Sequence, residues 1–365
     1  MSASGRSEPG RARERAARAG RSPDLAVIDR LGETTGRLRA EIARVIVGQD
    51  EVVDQLLIVL LAGGHAILEG VPGLAKTLLV NTLARALSLD SGRIQFTPDL
   101  MPSDVTGTLV VEEQRASGLR EFVFRPGPIF THLLLADEIN RTPPKTQAAL
   151  LEGMSERQVT VGGVRHVLPR PFCVLATQNP IEQEGTYPLP EAQLDRFLMK
   201  IRIDYPDFLE EYEIIARTTG ARKTSVEGVL GRDLLLDLQR LVPALPATPH
   251  IQEYATRLAR RTRASEPESP EWVRSHIAWG AGPRAAQALI LCAKARALLD
   301  GRFAVTRADV RAVAPPVLRH RIVPSFLAEA EGASADDLVD RLLESTPAFR
   351  TRPDHDDVSR RILRH

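Results

Sequence analysis

A glycine-rich segment that runs into a lysine and a threonine is the stretch of this sequence best suited to do chemistry. The segment reads Gly70-Val71-Pro72-Gly73-Leu74-Ala75-Lys76-Thr77-Leu78. It lies between a short apolar run and an apolar stretch of helical character, which predicts a strand, a loop and a helix. Glycines let the backbone approach phosphate oxygens closely, and the helix N-terminus attracts their negative charge. We therefore predict a nucleotide-binding loop, in which Lys76 neutralises the β- and γ-phosphates and Thr77 offers its hydroxyl group to Mg²⁺.

Two adjacent carboxylates follow a second apolar run, at 133–136. These are Asp137 and Glu138. In an α/β sheet the carboxyl ends of the strands line the ligand crevice, so both acids are expected beside the phosphates. We predict that Asp137 holds Mg²⁺, directly or through water, and that Glu138 is the general base that polarises the attacking water.

Two further polar positions are expected at the same crevice. Asn179 follows an apolar strand at 171–178, and its neutral amide could position the water beside the γ-phosphate. The turn Val47-Gly48-Gln49 precedes a helical stretch before the first strand and is a candidate for the adenine pocket. On the residues alone, a loop that only caps the helix explains this turn equally well.

One residue of the loop departs from the usual glycine pattern. Ala75 stands directly before Lys76. Alanine favours right-handed helical dihedrals, so we expect Ala75 to lie near that region.

The bulk composition describes a globular protein that is large enough for two domains. The chain has 365 residues, of which 43% are hydrophobic and 26% are charged, with a net charge of +1. Residues 1–22 carry six arginines against two glutamates and almost no large apolar residue, so a disordered basic tail is expected there. The rest of the chain is slightly acidic, which argues against nucleic-acid binding. Cys173 and Cys292 have no metal-ligand spacing, which fits a reducing compartment. No apolar run approaches the roughly 20 residues needed to cross a bilayer, and the N-terminus has no apolar segment typical of a signal peptide, so we expect a cytoplasmic protein without a membrane span.

The order of elements predicts an α/β core followed by a helical domain. We place the core at 23–205, the helical domain at 206–350 and a tail at 351–365. Within the core, two β-hairpins are predicted, one around 109–124 and one at 158–168 with Gly162-Gly163 at its turn. In the helical domain three apolar faces are expected to form the core of a bundle. Their residues are Leu209, Tyr212, Ile215 and Ala216; Leu234, Leu235, Leu238 and Leu241; and Ile251, Tyr254, Ala255, Leu258 and Ala259.

Together, these motifs closely resemble those of the MoxR-type AAA+ ATPases. The segments that carry the resemblance are Gly70–Thr77, Ala136–Arg141, Ala176–Pro180, Glu184–Tyr187, Leu189–Phe197 and Gly282–Ala285. The resemblance runs from about residue 46 to about residue 320. It implies a P-loop AAA+ core of three αβα layers, with a parallel sheet and β-hairpin insertions, followed by an all-α lid domain. It also implies ATP and Mg²⁺ as cofactors, and a ring, expected to be hexameric, whose hairpins face the pore or the partner.

The resemblance also implies roles for residues outside the phosphate loop. Asn179 matches sensor 1, Arg284 matches sensor 2 on the lid, and Arg196 matches an arginine finger that enters the site of the neighbouring subunit. Arg141 and Arg202 are rival candidates for that finger. The chain departs from the family pattern at Gly282, where a serine is expected, which concerns the packing of the lid more than the chemistry.

Three functions are compatible with these motifs. The first is a motor that hydrolyses ATP to remodel, activate or metal-load a protein partner, which by family analogy carries a von Willebrand A domain. The second is a DNA-acting motor of the helicase type, which shares the hairpins and the Ala-Lys pair. The third is a nucleotide-gated scaffold with little turnover, which would not need a water-orienting acid such as Glu138.

Overall fold

The computed structural model describes residues 25–113, 120–181, 185–220 and 225–348. The two tails predicted at 1–22 and 351–365, and the tip of the first hairpin, lie outside these residues. The strands are β1 (Ala66–Glu69), β2 (Ser91–Gln95), β3 (Gly107–Glu113), β4 (Arg120–Pro126), β5 (Leu133–Asp137), β6 (Gln158–Val161), β7 (Val164–Val167), β8 (Cys173–Gln178), β9 (Met199–Arg202), β10 (Ile277–Trp279) and β11 (Val323–Pro324).

The helices of the core precede and alternate with these strands, and the later helices form the lid. They are α1 (Leu25–Ala43), α2 (Asp50–Leu61), α3 (Lys76–Ala86), α4 (Pro102–Thr106), α5 (Pro144–Glu156), α6 (Glu191–Leu194), α7 (Phe208–Thr218), α8 (Arg232–Ala244), α9 (Pro249–Arg260), α10 (Val273–His276), α11 (Pro283–Leu299), α12 (Arg307–Leu318), α13 (Phe326–Ala330) and α14 (Ala335–Ser345). A 3₁₀ turn covers Ile139–Arg141.

A five-stranded sheet with the order β2-β5-β8-β1-β9 forms the middle layer of the core. Every neighbouring pair of its strands is parallel. Side chains alternate between its two faces, so Leu68 packs with α2, α3 and the lid while Ile67 packs with α5. Both faces are therefore buried, which explains the continuous apolar runs in the sequence and confirms the predicted three-layer α/β core with a helical lid.

The two predicted hairpins are antiparallel pairs that stand outside this sheet. One is β3–β4 and the other is β6–β7. Gly162 and Gly163 turn the second hairpin with φ angles of 58° and 80°, which glycine adopts easily. The hairpins touch each other, because the rings of Phe124 and His166 stack with centroids 3.8 Å apart.

The expectation that α7 contributes an apolar face to the bundle core is wrong. None of its residues is buried, and Leu209, Tyr212 and Ile215 are 73%, 69% and 58% exposed. The helix contacts the core through its polar side instead, where Arg217 donates to the carbonyl oxygens that end α1. Of the predicted α9 face, Tyr254, Ala255, Leu258 and Ala259 are buried and Ile251 is half-buried. On α8, Leu234 is 41% exposed.

Buried His65, which precedes β1 and contacts β8, makes the stability of the fold depend on pH. Val174 N–H donates to Nδ1 of His65 (3.0 Å), and Nε2 faces Met154 O (3.3 Å), so the ring is held in its neutral form. Burial lowers the pKa of His65 from 6.5 to about 4.

We predict that the free energy of unfolding falls as the pH falls from 6.5 to 4, because the unfolded chain takes up a proton there that the folded chain refuses. Between 6.5 and about 4 the loss from His65 amounts to about 3 kcal/mol at 1.36 kcal/mol per pH unit. Denaturant unfolding at several pH values measures it. A His65→Gln variant should lose this part of the slope, and an unchanged slope would contradict the assignment.

Within the described residues, no helix combines the length and the apolar composition needed to cross a membrane.

Candidate active site

The glycine-rich loop leaves the sheet at the carboxyl end of β1, as predicted. Gly70 N–H donates to the carbonyl oxygen of Gln178 at the end of β8 (3.3 Å). A Cβ atom on Gly70 would lie 2.6 Å from the carbonyl oxygen of Ile203, so only glycine fits between the strand ends. The loop then enters α3 at Lys76, which aims the helix N-terminus at the space inside the loop.

Ala75 corrects the expectation of right-handed dihedrals. It is the N-cap of α3 and lies at φ 52° and ψ 26°, in the left-handed region. For an L-residue with a Cβ atom this conformation costs about 1–2 kcal/mol. The cost arises because the Cβ atom approaches the following carbonyl oxygen too closely in this conformation.

We predict that Ala75→Gly raises the free energy of unfolding of the nucleotide-free chain by about 0.5–1 kcal/mol, since the relieved strain exceeds the added chain entropy of glycine. Ala84→Gly, in the interior of the same helix, is the matched control and should lower it by about 1 kcal/mol. Denaturant unfolding compares the two. Equal losses in both variants would contradict the left-handed assignment.

Lys76 faces a cluster of carboxylates. Its ammonium group donates to the carbonyl oxygen of Gly70. Burial lowers the pKa of Lys76, while the nearby Asp137, Glu138 and Glu69 act in the opposite direction. The predicted lysine and the predicted acids are therefore close enough to interact.

Asp137 is held by two residues that the sequence did not single out. Thr177 Oγ1 donates to Asp137 Oδ1 (2.6 Å), and Arg93 Nη2 donates to Asp137 Oδ2 (2.7 Å). Thr177 lies on β8 and Arg93 on β2, the strands on either side of β5. Once the strand order is known, polar residues near the ends of these neighbours are the signal that identifies them.

The carboxylate of Glu138 is likewise oriented by its neighbours. The residue lies at φ 57°, and its backbone N–H donates to Thr177 Oγ1 (2.8 Å). Gln95 Nε2 donates to Glu138 Oε2 (2.8 Å), and Arg141 Nε is 3.0 Å from the same oxygen. Arg141 is therefore engaged with a carboxylate of its own subunit.

Asn179 lies at the edge of the sheet where the loop begins, and the predicted adenine turn at 47–49 begins α2. Asn179 is 8% exposed and follows Gln178, whose Cα partner is Glu69 at the end of β1. Its Oδ1 accepts from Ile181 N–H (3.1 Å). At the other side, Gly48 and Gln49 have φ angles of 65° and 58°, and Gln49 is the N-cap of α2. The carboxyl group of Glu210 on α7 covers Gly48, so the turn both begins a helix and lies beneath the lid.

Of the remaining predicted arginines, Arg196 and Arg284 make contacts away from the loop, whereas Arg202 reaches its edge. Arg284 Nη1 is 3.8 Å from Asp195 Oδ2, and its side chain is 62% exposed. Arg196 Nη1 donates to Leu151 O (3.1 Å) and to the Ser155 hydroxyl group, both on α5. Arg202, the other rival, pairs with Asp336 of the lid (2.6 Å), and its Nε is 3.9 Å from Glu69 Oε2 at the end of β1. The structure of one subunit thus brings together the loop, Asp137, Glu138 and Asn179. It does not bring Arg196 to them, and it places Arg202 beside Glu69, where the loop begins.

The donors at this site fit a magnesium nucleotide. The Lys76 ammonium group lies at the loop, and Thr77 and Asp137 carry oxygen atoms that would serve as ligands of Mg²⁺. Mg²⁺ commonly uses one or two protein oxygens and takes its other ligands from phosphates and water.

Comparisons with known proteins agree with this geometry. Residues 65–199 match the model of the ATPase family associated with various cellular activities (AAA), and residues 270–342 match the AAA lid domain. The chain is 46% identical to chaperone MoxR1 of Mycobacterium tuberculosis over 86% of this chain and 81% of that protein. It is 35% identical to protein MoxR of Paracoccus denitrificans over 85% of this chain and 93% of that protein.

A solved structure is similar over nearly its whole length. The crystal structure of a putative ATPase from Cytophaga hutchinsonii superposes with a TM-score of 0.82 at 41% identity, covering 88% of this chain and 97% of that one. The similarity thus spans the sheet, the loop and the lid together. The chain belongs to the MoxR family of AAA+ ATPases and is an ATP hydrolase.

Proposed function

We propose that this ATPase hydrolyses Mg²⁺-bound ATP between two subunits of a ring and uses the cycle to remodel or activate a protein partner. Lys76 and the loop hold the triphosphate, Thr77 and Asp137 hold Mg²⁺, and Glu138 takes a proton from the attacking water while Asn179 positions it. Mg²⁺ supplies charge neutralisation at the phosphates. The observation that carries the proposal is the convergence of Lys76, Asp137 and Glu138 at one edge of the sheet.

The in-trans role falls to Arg196 because of what surrounds the three candidates. Arg141 contacts Glu138, and Arg202 is paired with Asp336 and lies 3.9 Å from Glu69 of its own subunit. Arg196 is exposed, and it bonds to Leu151 O and to the Ser155 hydroxyl group rather than to a carboxylate of its own subunit. Arg284 lies at the N-terminus of α11, its side chain is 62% exposed and its Nη1 is 3.8 Å from Asp195 Oδ2, so it is easily released toward a nucleotide.

An exposed apolar surface near the turn at 47–49 supports the assembly of subunits into a ring. Tyr205, Phe208, Leu209, Tyr212 and Ile215 are each at least 58% exposed. Tyr205 precedes α7 and the other four residues lie on it. Glu210 of this helix lies against Gly48. Contiguous apolar patches of this kind are typical of protein interfaces. A ring of this family, which we expect to be hexameric, would cover them.

The two contacting hairpins are the surface that we assign to the partner. Leu109, Val111, Phe122, Val164 and Val167 are exposed on them, with Phe122 at 71%. Apolar side chains on inserted hairpins suit a protein client better than a phosphate backbone. By resemblance, a partner with a von Willebrand A domain, and metal loading as the outcome, belong to the same proposal, as does action in the cytoplasm.

The charges on the first hairpin disfavour the DNA-motor alternative. Arg125 pairs with Glu112, and Arg120 lies 3.8 Å from Glu113. Arginines neutralised in this way release few counterions from DNA. Affinity for DNA that falls steeply with rising salt would revive the alternative.

We predict that the Glu138→Gln protein, loaded with ATP, retains a protein partner that the Lys76→Ala protein does not. Adding Phe122→Ser to Glu138→Gln should reduce the recovered partner at least fivefold, since an apolar contact of about 1–3 kcal/mol is lost. Phe326→Ser is the matched control, because Phe326 is 87% exposed but lies on the lid. Affinity capture followed by quantitative mass spectrometry measures the difference.

Equal recovery with Glu138→Gln and Lys76→Ala would contradict the remodelling proposal. If Phe122→Ser and Phe326→Ser reduce the recovered partner equally, the role of the hairpins is contradicted but the remodelling proposal is not.

A further inference from the structure

A nearly buried arginine joins the lid to the segment that carries Arg196. Arg321 follows α12 of the lid, and its side chain is 3% exposed. Its Nε donates to Asp195 Oδ1 (2.7 Å) and its Nη2 to Phe197 O (2.6 Å). Its Nη1 donates to Leu198 O (3.2 Å). One lid side chain thus holds three of the residues at 195–198, on both sides of Arg196.

This arrangement is costly unless it is complete. Burial lowers the pKa of Arg321, and Asp195 opposes the shift. A guanidinium group buried without its carboxylate or its carbonyl partners would be strongly destabilised. The segment 195–198 must therefore follow Arg321 when the lid moves, because separating them would expose an unpaired buried charge.

The carboxylate of Asp195 also faces Arg284, the predicted sensor 2 residue of the lid. Asp195 Oδ2 is 3.8 Å from Arg284 Nη1, while Asp195 Oδ1 accepts from Arg321. Arg284 begins α11, and α11 and α12 pack along each other in the lid. A nucleotide that draws Arg284 toward its phosphates would thus act on a lid that is already fastened to residues 195–198.

We propose that Arg321 is the positioning residue for Arg196, so that the lid position of one subunit sets the arginine that this subunit offers to the next site. The proposal rests on the in-trans role proposed above for Arg196. It adds a path between two sites. The bound nucleotide sets the position of the lid, the lid moves residues 195–198 through Arg321, and these residues place Arg196 in the site of the neighbouring subunit.

A double-mutant cycle on the full-length assembled enzyme tests this path. We expect Arg321→Gln to lower kcat at saturating ATP at least tenfold and to change the KM for ATP less than about threefold. In an Arg196→Ala background, the same Arg321→Gln change should lower kcat less than twofold further, because residues that act through one another are not additive. Asp195→Asn keeps an acceptor for Arg321 and should show the same pattern with a smaller loss.

Arg319→Gln is the matched control. Arg319 is also a largely buried lid arginine that bonds to the core, but it bonds to Lys200 O (3.1 Å) and to Asp336 rather than to residues 195–198. We expect it to lower the melting temperature as Arg321→Gln does, to leave kcat within about threefold of the unmodified enzyme, and to have the same effect with and without Arg196→Ala.

Two results would overturn the inference. One is an Arg321→Gln loss that is equally large in the Arg196→Ala background. The other is loss of ATP binding or assembly in Arg321→Gln and Asp195→Asn where Arg319→Gln retains both. If Arg196→Ala alone leaves kcat unchanged, the in-trans role of Arg196 fails instead, and the single variant shows this separately from the cycle.

Discussion

Replacing Glu138 by Gln is expected to lower kcat for ATP by a factor of about 10²–10⁴, the usual contribution of a general base. The amide keeps the size and the hydrogen-bond acceptor that Gln95 and Arg141 contact, but it cannot accept a proton from water. ATP binding should change little, because the proposed phosphate ligands, Lys76 and the loop, are unchanged. The variant should therefore accumulate bound, uncleaved ATP.

Steady-state turnover and equilibrium binding of a fluorescent ATP analogue separate these two effects. Glu69→Gln is the matched control, since Glu69 also lies near Lys76 but is paired with Lys200. We expect it to keep kcat within a few-fold of the unmodified enzyme. If Glu138→Gln turns over ATP at the unmodified rate, Glu138 is not the base.

Replacing Arg196 by Ala is expected to lower kcat by a factor of about 10³–10⁵, the range for an arginine that stabilises the transferring phosphoryl group. The loss should fall on kcat and leave ATP affinity nearly unchanged, because the positive charge is needed most in the transition state. Within its own subunit Arg196 donates to Leu151 O and to the Ser155 hydroxyl group, both on α5, so its removal should not disturb the loop of the same chain.

The rival arginines supply the comparison for this variant. Arg202→Ala removes a pair with Asp336 and should lower stability more than turnover. Arg141→Ala removes a contact of Glu138 and should change kcat less than Arg196→Ala. A larger loss of kcat in either rival than in Arg196→Ala would reassign the finger.

The sequence predicted the part of this molecule in which local pattern and chemistry coincide. Buried parallel strands are continuously apolar, so the runs before Gly70 and Asp137 could be recognised as strands that end at one edge. The lysine, the threonine and the acids follow these strands directly. Because parallel strands end at the same edge of a sheet, these side chains were expected to converge there.

Other features depended on information that no local pattern contains. The apolar spacing of Leu209, Tyr212 and Ile215 is the same whether a helix faces its own core or another surface, which is why the prediction for α7 was wrong. The contacts of Arg93 and Gln95 with the acids require the strand order, because β2 and β5 are neighbours only after folding. The left-handed backbone of Ala75 likewise reflects the closure of the loop rather than the preference of alanine.

The hydrogen bonds of Arg321 to residues 195–198 are a further case, since these partners lie more than a hundred positions away in the sequence. A basic residue near the end of a helix normally indicates a solvated or capping side chain. Only the docking of the lid onto the core shows that this one is buried.

Subunit mixing tests the central claim most directly, namely that the chemistry of one site is completed by an arginine from the next subunit. Co-expressed Glu138→Gln and Arg196→Ala chains form rings in which some interfaces pair an intact Glu138 with an intact Arg196. We predict that ATPase activity returns on mixing, to about a quarter of the unmodified level for random assembly at equal amounts, although each variant alone is inactive. If confirmed mixed rings are as inactive as the separate variants, Arg196 does not act across the subunit boundary.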